Sequence, residues 1–246
     1  MSQNVKILLY DIKSIFMDKK TIILISFLTL ITLLMSVSFR IVLKDDTGSL
    51  FTQFASISGI TDKKTFIYFF TGIFSFIIFT TYPFIIGIVI ISYLKEFGEL
   101  ELMMLFPIDR KSFFIEKIFC VFSVSLVFSW ISILLNRFLL SLIMDIQSFN
   151  IYRILYMFIV LPVWIFFISC ITIMISSSAK DSKEANQKSM ILPFVIYAVI
   201  QLSFLLKLTV FSYKIILLPF IIGLAGSIVI LLILNRKFSI ERIIYS

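Results

Sequence analysis

Apolar residues run along this chain in long blocks separated by short charged or polar stretches, and the block lengths predict helices that cross a bilayer. Residues 1–20 differ in kind. Val5, Leu8, Leu9, Ile12, Ile15 and Phe16 recur at helical spacing with Lys6, Asp11, Lys13 and Asp18 between them, the pattern of a helix lying along a membrane interface. The first span is 21–39, long enough to cross about 30 Å of hydrocarbon. Ser36-Val37-Ser38 offers the small-x-small triplet of a cleaved signal, but the stretch before it starts late and exceeds the roughly 7–15 apolar residues of a signal sequence.

A polar loop, 40–65, separates this block from 66–94, which is longer than the hydrocarbon needs and must tilt, bend near Pro83 or Gly87, or protrude. The third block covers 118–136 and resumes after Arg137, giving 118–143; the fourth is 154–175, the fifth 190–206 and the sixth 215–234. Between the second and third lies a charged stretch, 95–117, and between the fourth and fifth a polar linker, 176–189. The expectation is an all-α integral membrane protein: one transmembrane domain of six helices over 1–246, an amphipathic N-terminal helix, and no large soluble domain.

Composition agrees. Of 246 residues, 60% are hydrophobic and 15% charged, against about 45–50% and 25% in soluble domains. Net charge is +8, but the basic residues cluster at the ends of apolar blocks, which is topology and not a nucleic-acid groove. With both termini inside, fourteen of the 22 Lys and Arg fall on cytoplasmic segments and eight on outer loops or span ends. Both termini are therefore expected in the cytoplasm.

The residue inventory narrows the chemistry. No histidine is present, and Cys120 and Cys170 lie inside apolar blocks, where they read as small apolar residues and not as a disulfide framework or metal site. The six blocks contain no Asp, Glu, His or Lys, so neither a catalytic base nor a midplane proton relay is in view and the chain is not expected to be an enzyme. Arg137, near the outer end of the third block, reads as an interface anchor. The seven glycines build no phosphate-cradling loop. No cofactor is expected in this chain, and ATP and magnesium, if used, would bind a partner.

The stretch 95–117 is the most informative. It reads as a short amphipathic helix with Glu96, Glu99 and Glu101 at its start, where acidic residues suit the helix dipole; Phe97, Leu100, Met103 and Met104 lie on one side, and Pro107 stops it. A solvated loop joining two spans is the plainer reading. The run E-x-G-x-L-E-x-x-x-x-x-P-I-x-R, from Glu96 to Arg110, with Lys117 at the head of the next span, resembles the coupling segment in permeases of the ABC type-2 transporter family. Glu96, Gly98, Leu100, Glu101, Pro107, Arg110 and Lys117 match that pattern; Glu99 stands where threonine is usual and Glu116 where glycine is common. The N-terminal helix is similar to the family's connecting helix, and 176–189 to its second cytoplasmic linker.

The resemblance implies a permease subunit in the bacterial plasma membrane, paired with a second permease chain, identical or not, above two copies of an ABC ATPase. The coupling set would be Glu96, Gly98, Glu99, Leu100, Glu101, Met104, Pro107 and Arg110. It also implies a pathway at the pairing surface, to which the second span would contribute Ser75, Phe79, Tyr82 and Pro83, and the fifth Tyr197, Gln201 and Phe204; ordinary span packing is the alternative for each. With 29 Phe and no charge facing it, such a cavity suits an amphipathic or other hydrophobic cargo. Exporters of antimicrobial or cytolytic peptides, as in bacteriocin immunity or phenol-soluble modulin export, are the nearest kind. An ion or drug exporter of the same family, or a non-transporting membrane immunity or assembly factor, are the alternatives.

Overall fold

The computed structural model describes residues 11–16, 18–44, 78–91, 110–144, 156–179, 183–184, 187–188, 191 and 213–237. Everything regular among them is helical, with no strand. The helices are α1 (Lys19–Lys44), α2 (Ile78–Ile91), α3 (Arg110–Met144), α4 (Leu161–Ser178) and α5 (Tyr213–Lys237), with a turn of π-helix, Tyr156–Val160, leading into α4. Ser112–Leu139 and Met157–Ser178, 28 and 22 residues, are long and apolar enough to cross a membrane. The fifth block, 190–206, lies outside the described residues apart from Ile191.

Asp18 sets the start of α1. Its side chain accepts from the backbone N–H of Thr21 at 3.2 Å and from the Thr21 hydroxyl, while its own carbonyl accepts the first helical bond, from Ile22 at 3.1 Å. This is the geometry of an N-cap. Residues 11–16 form a helical stretch of their own, joined to the cap by a bond from the Asp18 N–H to the Ser14 carbonyl.

Helix α2 is the centre of the bundle. Ile78, Phe79, Thr80, Tyr82, Pro83, Phe84, Ile86, Gly87, Ile90 and Ile91 are all buried, as expected of a helix surrounded by others. It stays helical through Pro83. A Cβ on Gly87 would run into the Thr172 side chain and come within 3.7 Å of Val121, so the missing side chain is what lets α2 approach α3 and α4.

Contacts fix the directions of the helices. From Tyr82 bonded to Ser132 and Gly87 against Val121, α2 is antiparallel to α3; from Thr80 bonded to Trp164 and Gly87 against Thr172, it is parallel to α4. Trp130 meets Met157 while Phe119 and Phe122 meet Phe166, so α3 and α4 are antiparallel. Helix α5 packs along α4 in the same direction, Gly223 on Val163 and Gly226 on Phe167. Gly223 and Gly226, three residues apart, are the small residues that allow this approach.

The π-turn before α4 has a local cause. Pro162 sits in the first turn of α4 and has no N–H to offer the preceding turn; the Met157 carbonyl instead accepts from Trp130 Nε1 at 3.3 Å. A tryptophan on α3 thus completes a bond that proline cannot.

Candidate functional site

The polarity of the helices is inverted relative to a soluble protein. On α1 the outward residues are Ile23, Leu24, Phe27, Leu30 and Leu34, with Ile23 at 67% exposure, while Thr21 and Thr32 are buried. On α3, Ile115, Phe119, Val127, Ile131, Leu134, Phe138 and Leu142 face outward, and Lys117, Ser125, Ser129, Ser132 and Asn136 are buried. Apolar side chains out and hydroxyls in is the arrangement that lipid, not water, favours.

The inward polar groups of α3 form a stripe. Ser125, Ser129, Ser132 and Asn136 follow at intervals of four, three and four residues, the spacing of one helical face. From Lys117 to Asn136 the helix rises about 28 Å at 1.5 Å per residue, close to the thickness of the hydrocarbon.

At its first end is an ion pair. Lys117 Nζ donates to Asp11 Oδ2 at 2.5 Å, with the lysine side chain fully buried and the aspartate 8% exposed. The ammonium also lies 5.0 Å from the centre of the Phe113 ring, within range of a cation–π attraction. Asp11 reaches it because it shares a buried helical face with Ile15, four residues on, while Lys13, Ser14 and Phe16 are exposed. The sequence pattern puts Asp11 among the polar positions of the N-terminal helix; its partner on α3 turns it inward. Helix α3 starts at Arg110, well before the apolar block at 118, so that Glu116 and Lys117 fall inside the apolar stretch Ser112–Leu139.

Near the far end of the stripe, three hydroxyls meet. The Tyr82 hydroxyl lies 2.9 Å from both Thr29 Oγ1 and Ser132 Oγ, which are 3.4 Å from each other, and Thr29 also donates to the Ile25 carbonyl at 2.9 Å. This cluster ties α1, α2 and α3 at one point. Phe128, one turn before Ser132, packs on Tyr82 and Phe16 at ring separations of 6.4 and 5.7 Å. Between the ion pair and the triad, the hydroxyls of Ser125 and Ser129 are buried and no group among the described residues bonds them.

Of the pathway residues expected from sequence, Phe79, Tyr82 and Pro83 are buried in α2, and Tyr82 is the one that belongs to the polar stripe. Ser75, Tyr197, Gln201 and Phe204 lie outside the described residues. So do Glu96, Gly98, Glu99, Leu100, Glu101, Met104 and Pro107; Arg110 is the first residue of α3. Sequence reasoning passed over Asp11, Thr29, Ser125, Ser129 and Ser132. Cys120 and Cys170 are free thiols buried in α3 and α4, and among the described residues no cluster of His, Cys, Asp and Glu could hold a metal.

Comparison with protein-family models, with curated proteins and with solved structures gives no match to this chain. The functional reading rests on the residues themselves.

Proposed function

We propose that the chain is the membrane-embedded permease subunit of an ATP-driven exporter, with six spans, both termini in the cytoplasm and ATP hydrolysis in a separate partner. The inverted polarity of α1 and α3 supports a lipid environment. The course of the helices supports the six-span count: α2 and α4 are antiparallel to α3, and α4 and α5 run the same way, which in a membrane requires a return crossing in the connection between them. The apolar block at 190–206 is long enough to be that crossing.

The observation that carries the proposal is the Asp11–Lys117 pair. It fixes the N-terminal helical stretch to the first turns of the helix that follows the acidic segment Glu96–Arg110. A force delivered to that segment by an ATPase below would act on α3 and on the N-terminal stretch as one body, and through the Thr29–Tyr82–Ser132 cluster on α1 and α2. ATP shifts such an equilibrium by as much as its affinity differs between the two states. Two permease chains and two ATPase subunits would make the assembly, and an apolar pathway fits amphipathic peptides or other hydrophobic compounds.

The test is reconstitution. Tagged chain purified from its native membranes brings down an ATPase, and vesicles containing the complex move amphipathic peptide only while ATP is hydrolysed. Purification of a stable chain with no ATPase, or unchanged movement when the partner's phosphate-binding lysine is replaced, contradicts the proposal.

A further inference from the structure

Proline brings no N–H to a helix, and among the described residues three sit in helices: Pro83 in α2, Pro162 at the start of α4 and Pro219 in α5. At Pro162 the nearby Met157 carbonyl takes its bond from Trp130. At Pro83 the carbonyl left without its helical donor is that of Phe79, four residues earlier. Both Phe79 and Pro83 are buried, so this carbonyl has no bulk water to turn to.

The register between α2 and α3 places something opposite it. Stepping one turn at a time from the contact of Gly87 with Val121, the antiparallel helices bring Pro83 level with Ser125 and Phe79 level with Ser129. Among the described residues these are the two α3 hydroxyls that are buried and bonded by no other group. A serine in a helix facing lipid or packed apolar groups ordinarily donates to the carbonyl one turn back, as Ser169 does to Ile165 at 2.7 Å and Ser227 to Gly223 at 2.5 Å. Ser125 and Ser129 do not. A gap in the hydrogen bonding of α2 thus coincides with two unspent hydroxyls on α3, deep in the bundle.

We propose that this is a binding site for water. One molecule donates to the Phe79 carbonyl and to one serine oxygen and accepts from the other serine, which gives it the about three hydrogen bonds usual for a buried water. Such a water replaces the missing helical bond of α2 and leaves the Pro83 turn able to open and close against α3 without losing a buried polar bond. The inference stands independently of the ATPase partner.

A double-mutant cycle tests it. In wild-type background, S125A together with S129A removes partners of a bound water and lowers the apparent Tm in lipid nanodiscs by about 2–4 °C, the shift that corresponds to about 1 kcal/mol. P83A restores an N–H to the Phe79 carbonyl, so in that background the same pair of changes moves Tm by less than half as much. A rise in Tm on removing the serines, the expected sign for hydroxyls buried dry, overturns the site; so does an equal fall in both backgrounds. Should P83A not fold, the infrared S–H band of S129C decides. A water-bonded thiol exchanges to S–D in heavy water at least tenfold faster than buried Cys120 and Cys170, and exchange no faster than theirs overturns the proposal.

Discussion

Lys117 Nζ lies 2.5 Å from Asp11 Oδ2, although 106 residues separate them in the chain. Burying two charges is costly, and their attraction offsets that cost only when the geometry is good. The pair therefore sets position more than it adds stability. Both D11N and K117M leave one buried charge or dipole without its partner, and each is expected to cost about 3–5 kcal/mol. The double change D11L/K117M removes both and is expected to lie much nearer wild type in thermal unfolding, while the proposed ATP-dependent transport is lost. Equal destabilisation by single and double variants would contradict a paired role.

The hydroxyl cluster makes a smaller prediction. Y82F takes away the group that lies 2.9 Å from both Thr29 and Ser132, leaving Thr29 its bond to the Ile25 carbonyl and Ser132 its 3.4 Å approach to Thr29. The expected loss is about 1–3 kcal/mol. T29V in the Y82F background should add less than T29V alone, because the two act in one network.

Close helix approach at Gly87 gives a ranking. A methyl group there meets Thr172, itself buried and donating to the Ile168 carbonyl at 2.8 Å, so G87A is expected to cost about 1–3 kcal/mol by overpacking. At Gly223 the nearest atom to a new Cβ is 3.3 Å away, and G223A should cost less. Thermal unfolding of the two variants side by side checks the order.

How much of this could be read from sequence differs by residue. The start of α1 carried a local signal that the block boundary at 21 did not use: Asp18 stands three residues before Thr21, and capping is local. Helix within the blocks at 21–39, 66–94, 118–143, 154–175 and 215–234 was legible because apolar length is a property of a continuous run. The start of α3 was not: Glu116 and Lys117 look like the end of a loop until Asp11 is known to be opposite, and no local rule reveals a partner 106 residues away. The stripe of Ser125, Ser129, Ser132 and Asn136 carried a signal, a helical period inside an apolar block, but hydrophobic residues between them mask it in any window average. Tyr82 was singled out as a pathway residue; its bonding to α1 and α3 depends on packing that sequence spacing does not encode.

Outward apolar residues predict contact with lipid. Nitroxide labels at positions 23, 27, 134 and 142, all outward on α1 or α3, should collide more often with oxygen, which concentrates in the bilayer, than with a water-soluble nickel chelate. The opposite ratio at these positions would place the helices in water.

The central claim is that a separate ATPase acts on this chain through the acidic segment between its second and third spans. The direct measurement places a photo-crosslinking residue at Glu101 or Met104 in native membranes and identifies what it captures. The account predicts a nucleotide-hydrolysing protein, captured from the cytoplasmic side and released or re-spaced on adding ATP. Labelling of the same positions by an impermeant reagent from outside the cell, with no ATPase in the crosslinked product, would contradict it.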